Sequence, residues 1–198
     1  RTAELHFIVV AVMAVGCASP ASGPDAPLED AVAEEAPVDP TTIRPFEIAV
    51  PDAVLEDLRA RLARTRLPDQ LEGADWDYGT ELDYLTEFIT YWRDEFDWRE
   101  QERRLNQFDQ YKTVIDDLDI HFIHQRSTNP DALPLLVTHG WPGSIFEFTK
   151  IIGPLTDPEA HGGQASDAFH IVAPSLPGYG FSDAPREPGY GPERMAGI

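Results

Sequence analysis

The residues whose types and spacing best suit chemistry form a turn at 139–143, with the sequence HGWPG, directly after an apolar stretch. A glycine lets the backbone approach a ligand closely, and a proline fixes the turn, with Trp141–Pro142 a candidate for a cis bond. Backbone N–H groups aimed at a developing oxyanion stabilise it. We therefore expect Trp141 to donate its N–H to an oxyanion and its indole face to a substrate, with Gly140 and Pro142 shaping the turn. Spacing alone equally allows an ordinary strand-to-helix turn.

A second glycine- and proline-rich loop, residues 174–182 (PSLPGYGFS), follows the next predicted strand. Parallel sheets place their ligand sites at the carboxyl ends of strands. Two such turns at one edge favour a functional site over two ordinary turns.

The histidines are weaker candidates for chemistry. His139 could act as a base, but its place at the end of a strand favours a structural residue whose ring bonds the backbone. His121 and His124 lie three apart on a predicted strand, so they point to opposite faces, which suits a metal poorly. We expect neither a metal nor a cofactor.

Short apolar runs from residue 108 onward predict the elements that position these turns. Asp116-Asp117 marks a hairpin turn between the first two strands, and Ser144 can cap a helix over 145–152 that Gly153-Pro154 ends. The predicted strands are 111–115, 120–124, 133–138 and 169–173. Two antiparallel strands followed by a strand–helix–strand unit predict an α/β fold with a partly parallel sheet.

Residues 41–108 predict a helical arm that precedes this sheet, after a short extended piece. One helix opens at Pro51-Asp52, with Asp52 as its cap, and Leu67-Pro68 stops it. A second follows Thr80, its expected cap. Each has an apolar face: Leu55, Leu58 and Leu62 on the first, and a buried stripe of Leu82, Leu85, Ile89, Trp92 and Phe96 on the second.

The N-terminal 17 residues predict a signal peptide. The apolar run 7–15 has the length of a signal core and is too short to span a bilayer. Ala14-Val15-Gly16-Cys17 resembles a bacterial lipobox, so we expect export to the cell envelope with Cys17 lipid-anchored. A plain cleavable signal and a frayed apolar start stay open. Residues 18–40 are rich in proline, alanine and acidic residues, a composition that predicts a disordered linker.

Composition limits the partners of the chain. It has 35 acidic and 15 basic residues, a net charge of −20. Nucleic-acid binding needs clustered cations, so we expect no nucleic-acid partner. Cys17 is the single cysteine, which excludes an intrachain disulfide and a cysteine-based zinc site.

Residues from about 44 to 191 resemble epoxide hydrolases of the microsomal and juvenile-hormone type. Each motif alone is weak, but their order along the chain makes the set specific. The motifs lie at 58–62, 65–68, 91–93, 97–99, 105–108, 120–124 with 126–127, 139–144 and 175–182.

This resemblance implies a cofactor-independent, two-step hydrolysis of a small apolar epoxide. An aspartate opens the epoxide and forms an alkyl ester, a histidine–acid pair activates water, and two lid tyrosines protonate the epoxide oxygen. Only the oxyanion element carries over, as Trp141 with Gly140 and Pro142.

A nucleophile elbow is missing up to Ile198. We therefore expect residues 109–198 to be the first part of an α/β-hydrolase domain, inactive by itself and cut before the nucleophile. Such a chain would be either a piece of a longer reading frame or a truncated product that folds poorly.

Two other functions stay open on sequence grounds. The first is another α/β-hydrolase, a dehalogenase or an esterase, which an elbow carrying serine would favour. The second is a non-catalytic, surface-tethered binding protein, which cooperative unfolding of the 198 residues would favour.

Overall fold

The computed structural model describes residues 42–198. The predicted signal peptide with Cys17 and the linker 18–40 lie outside them. Backbone contacts divide the described chain into two units, one of residues 42–46 with 108–198 and one of residues 47–107. Within that range, no helix is long and apolar enough to cross a membrane.

The unit of residues 47–107 contains three helices: α1 (Asp52–Ala63), α2 (Leu82–Asp94) and α3 (Trp98–Leu105). The predicted caps are wrong by one residue at both helices. Pro51 is the cap residue of α1, so Asp52 is already helical and pairs with Arg99 instead. Glu81 caps α2, because its carboxylate accepts the N–H groups of Asp83 and Tyr84.

The apolar faces of α1 and α2 agree with the predicted spacing, although they are less buried. Leu55 is buried, and Leu58 and Leu62 line the same crevice as Trp92 and Phe96. The stripe on α2 is half-buried rather than buried. α1 ends at Ala63, four residues before Leu67-Pro68.

The sequence did not predict α3, which fixes the segment before α1. Asp97 caps α3 by accepting the N–H of Glu100. Glu102 accepts the Val50 N–H at 2.7 Å, and Asn106 bonds both the N–H and the carbonyl of Ile48. Residues 48–50 therefore gain side-chain partners where they lack a neighbouring strand.

The other unit is a five-stranded sheet in the order β1-β2-β3-β5-β4. The pairs β1–β2, β2–β3 and β3–β5 are antiparallel, and β4–β5 is parallel, which confirms the predicted change of direction. The strands are β1 (Arg44–Pro45), β2 (Gln110–Ile115), β3 (Leu118–Gln125), β4 (Leu133–Leu136) and β5 (Phe169–Pro174).

The predicted hairpin turn between β2 and β3 is confirmed. Asp116 and Asp117 have φ values of +51° and +60°, the left-handed region that a two-residue hairpin turn requires. The Asp116 carboxylate accepts from Tyr190 Oη and Arg194 Nε, both at 2.8 Å. These bonds, with that of Arg194 the stronger, lower the pKa of Asp116.

The connection from β4 to β5 differs from the single helix predicted over 145–152. A short 3₁₀ turn (Ile145–Phe148) comes first, and a separate helix, α4 (Ile152–Thr156), follows. Gly153 and Pro154 lie in the first turn of α4 instead of ending a helix. A proline is tolerated there because the first N–H groups of a helix lack partners anyway.

The core of this unit lies between the sheet and the β4–β5 connection. Its buried members are Ile123, Ile145, Ile152, Ile171 and Ala173. Strand residues and connection residues thus bury each other, which fixes the end of β4 where the HGWPG turn begins. A last short helix, α5 (Pro192–Met195), carries Arg194.

Candidate active site

The HGWPG turn leaves β4 as a tight reverse turn. The Trp141–Pro142 bond is cis, as predicted, and the Gly143 N–H donates to the Gly140 carbonyl at 2.7 Å. This is the arrangement of a type VI turn, with the cis proline at its third position. The two ends of the turn are therefore closed by their own hydrogen bond.

Trp141 lies at the tip of this turn. Across residues 42–198, its N–H has no hydrogen-bond acceptor. Its indole is 83% exposed in the same range. The turn thus presents an unpaired backbone donor at the carboxyl end of β4, as an oxyanion site requires.

The residues that follow Trp141 fix the exit of the turn. Ser144 caps the 3₁₀ turn by accepting the Phe146 N–H, as predicted. A Cβ on Gly143 would lie 1.3 Å from Glu147 Oε1, so the glycine leaves room for that carboxylate against the turn.

His139 is buried and bonded, which confirms the prediction of a structural residue. Its Nε2 accepts the Leu176 N–H at 3.1 Å, so the ring proton resides on Nδ1, which lies 3.4 Å from the Gly140 carbonyl. The ring meets Tyr179 edge-on, with centroids 5.2 Å apart. Because its Nε2 already accepts a hydrogen bond from a backbone N–H, His139 has no free acceptor nitrogen to offer a substrate.

The contact between Leu176 and His139 brings the second loop beside the first turn. Both follow the carboxyl ends of the parallel strands β4 and β5, as the sequence predicted. Within the second loop, Tyr179 N–H donates to the Leu176 carbonyl, and Gly178 N–H to that of Asp183. The structure therefore unites the two glycine-rich segments into one site.

A buried polar cluster that the sequence did not predict lies behind this loop. His121 Nδ1 lies 2.9 Å from Ser175 Oγ, and His121 Nε2 lies 2.9 Å from Gln110 Oε1. The order hydroxyl, imidazole, acceptor is that of a nucleophile with its base. However, Ser175 and His121 are 0% exposed, so no substrate reaches the hydroxyl.

Burial, and to a smaller extent Lys112, lowers the pKa of His121 to about 4. His124, on the opposite face of β3, instead meets the ring of Tyr111. The signal for the cluster was the alternation of β2 and β3, which places Gln110, His121 and Ile123 on one face. Ser175 could not have been added, because only the pairing of β3 with β5 brings it there.

Residues 42–198 contain no group of three histidine, cysteine or acidic side chains placed to hold a metal ion. Cys17, the proposed lipid attachment site, lies outside that range.

An antiparallel strand pair leading into parallel strands, with glycine-rich turns at their carboxyl ends, is the opening of an α/β-hydrolase sheet. The family model described as epoxide hydrolase N terminus matches residues 43–148, more than half of the chain. The chain belongs to the epoxide hydrolase family.

Individual relatives agree with this assignment. A protein of Stigmatella aurantiaca that is named as an epoxide hydrolase is 53% identical over 154 residues. The match covers 78% of this chain and 35% of the relative. Epoxide hydrolase 1 of Oryctolagus cuniculus is 46% identical over 153 residues, covering 75% and 34%. The crystal structure of juvenile hormone epoxide hydrolase from Bombyx mori superposes with a TM-score of 0.70 at 38% identity, covering 79% of this chain and 41% of that one.

The chain spans about a third of the length of the curated relatives it matches. This family match agrees with the epoxide hydrolase that the sequence resembles. It does not favour the two alternatives, a dehalogenase or esterase and a non-catalytic binding protein.

Proposed function

We propose that the protein is an epoxide hydrolase, which adds water to a small apolar epoxide and releases a vicinal diol. The observation that carries the proposal is the Trp141 N–H, unpaired within residues 42–198 and held in a closed cis-proline turn at the end of β4. Membership of the epoxide hydrolase family supports it.

In the first step, an aspartate carboxylate attacks one epoxide carbon. A C–O ester bond forms, the epoxide C–O bond breaks, and a lid tyrosine protonates the departing oxygen. We assign the aspartate, the tyrosines and the histidine–acid pair to none of residues 42–198. The residues described here act only in the second step.

In the second step, the histidine takes a proton from water, and the hydroxide attacks the ester carbonyl. The carbonyl oxygen becomes an oxyanion, which accepts the Trp141 N–H. A preorganised donor is worth about 3–4 kcal/mol of barrier in such a step. Collapse of the oxyanion expels the diol oxygen, which takes up the proton held by the histidine, and leaves the aspartate as a carboxylic acid. The proton of this acid restores the tyrosine that gave one up in the first step, which regenerates the carboxylate.

A single turnover in ¹⁸O-water tests this route. The enzyme that contains this chain is held in excess over an aryl epoxide such as styrene oxide, and the diol is analysed by mass spectrometry. We expect the first-turnover diol to carry no ¹⁸O, because its new oxygen comes from the aspartate. The label should appear in that carboxylate instead.

Label in the first-turnover diol would contradict the ester intermediate and indicate direct attack by water. An enzyme that cleaves p-nitrophenyl acetate but leaves every epoxide intact would contradict the function itself.

We further propose that the protein is exported to the bacterial cell envelope and lipid-anchored through Cys17. The lipobox-like residues 14–17 and the acidic linker at 18–40 support this, because a linker of that length holds a folded domain away from the membrane.

Labelled palmitate is expected to enter the wild-type protein in bacterial cells and to be absent from Cys17→Ala. Ser19→Ala, two residues further on, is the matched control and should label normally. Equal labelling of wild type and Cys17→Ala would contradict the anchor.

A further inference from the structure

The buried cluster of Gln110, His121 and Ser175 has no part in the proposed reaction. All three side chains are at most 4% exposed, on one face of the sheet. Burying three polar groups costs free energy unless each finds a partner. Their arrangement therefore needs a reason other than substrate contact.

The partners of His121 fix its tautomer. Gln110 Oε1 can only accept, so His121 Nε2 carries the ring proton and donates it across 2.9 Å. Nδ1 is then bare and accepts from the Ser175 hydroxyl at 2.9 Å. The imidazole thus determines in which direction the Ser175 side chain points.

The backbone of His121 holds both ends of the second loop. Ser175 N–H donates to the His121 carbonyl at 2.8 Å, and His121 N–H donates to Ser182 Oγ at 2.9 Å. Ser182 Oγ in turn donates to the Ser175 carbonyl at 2.7 Å. Gly180 lies against this cluster, because a Cβ there would be 2.6 Å from Ser175 Oγ.

The loop held in this way also touches the HGWPG turn. Leu176, directly after Ser175, donates its N–H to His139 Nε2 at 3.1 Å. His139 begins the turn that carries the Trp141 N–H. A path of hydrogen bonds and directly bonded neighbours therefore leads from His121 through Ser175, Leu176 and His139 to the turn that carries the candidate oxyanion donor.

We propose that His121 is a positioning residue: by orienting Ser175 it fixes the loop 175–182, and through the Leu176–His139 bond it sets the HGWPG turn. The kinetic part of this inference rests on the proposed function, whereas the structural part does not. The competing explanation is that the ring only fills space between Phe46 and Phe181, whose centroids lie 5.0 and 5.3 Å away.

Two substitutions at one position separate these explanations. In His121→Asn, the amide oxygen takes the place of Nδ1 and still accepts from Ser175. In His121→Gln, the amide nitrogen takes the place of Nε2 and still donates to Gln110, but Ser175 loses its acceptor. Glutamine is closer to histidine in size, so a space-filling role predicts that His121→Gln is the milder change.

Hydrogen exchange of the Leu176 amide is the first measurement, in the enzyme that contains this chain. We expect about tenfold faster exchange in His121→Gln, the change that one lost hydrogen bond produces, and a nearly unchanged rate in His121→Asn. His124→Gln, on the opposite face of β3, is the matched control and should exchange like the wild type. Equal exchange in both His121 variants, or faster exchange in His121→Asn, would overturn the proposal.

Epoxide turnover is the second measurement. We expect kcat to fall about tenfold in His121→Gln and KM to fall with it, so that kcat/KM stays nearly unchanged, because the oxyanion donor acts only after the alkyl ester has formed. A rise in KM alone would contradict the proposed path to Trp141. If the wild type itself does not turn over any epoxide, the proposed function fails, while the order of the exchange rates still decides the role of His121.

Discussion

Replacing the Trp141 amide by an ester is expected to slow epoxide hydrolysis by about 10²- to 10³-fold. The α-hydroxy analogue of tryptophan at this position removes one N–H and keeps the indole. Because the donor acts on the oxyanion of the second step, formation of the alkyl ester should continue at the wild-type rate. Quenched-flow experiments should therefore show the covalent ester accumulating while diol release is slow.

A control is needed because the ester at 141 also weakens the Gly140 carbonyl, which accepts the Gly143 N–H. An ester in place of the Gly143 N–H removes that same bond and leaves the Trp141 N–H intact. This variant should hydrolyse the epoxide no more than about tenfold more slowly than the wild type, which is the effect of losing one ordinary hydrogen bond. Similar losses from the two esters would show that the turn needs its shape and not its donor.

Trp141→Phe separates the indole from the N–H. It keeps the backbone donor, so we expect the rate of ester hydrolysis to be retained. A large loss here would instead assign the role to the side chain.

The features that the sequence predicted well depend on neighbouring residues. The hairpin at Asp116-Asp117, the cap at Ser144 and the cis bond before Pro142 each follow from the preferences of one or two side chains. The bonding of His139 was also predictable, because a histidine at a strand end has backbone groups within reach.

The two errors in the helix caps occurred where adjacent residues compete for one role. Glu81 replaced Thr80 as the cap of α2, since its longer side chain reaches two backbone N–H groups at once. Pro51 replaced Asp52, whose carboxylate pairs with Arg99, 47 residues away. Local preference could not exclude Asp52 as a cap, because the partner of its carboxylate is distant in sequence.

The His121 cluster was unpredictable for the same reason. Its members come from β2, β3 and the end of β5, and the separation between His121 and Ser175 is 54 residues. Only the order β2-β3-β5 brings them to one face. The alternation along β3 argues against His121 as a metal ligand, but it does not identify the partner of the ring.

The burial of His121 also makes the stability of the fold depend on pH. Its pKa is about 4 in the folded chain, against a usual value of 6.5. Above pH 6.5 the ring is neutral in both states and contributes no pH dependence. Between pH 6.5 and 4 the His121 ring is protonated in the unfolded chain but stays neutral in the folded chain. The free energy of unfolding therefore falls as the pH falls.

The expected loss is about 3 kcal/mol, since each pH unit corresponds to about 1.4 kcal/mol. Part of this loss is due to Lys112, a cation that faces the ring from β2. Asp119 lies on the same face, where it is paired with Lys112 and Arg44. Urea unfolding at pH 7.0 and 4.5 would measure the loss in the wild type.

Many carboxylates also titrate in this range, so the comparison must be between variants. His121→Asn keeps the bond to Ser175 but cannot be protonated, and we expect its stability to fall about 2–3 kcal/mol less than that of the wild type over the same interval. His124→Asn should lie between the two, because burial also lowers the pKa of the half-buried His124. If all three proteins lose equal stability, His121 takes up its proton without unfolding, and the hydrogen bonds that orient Ser175 are weaker than their geometry indicates.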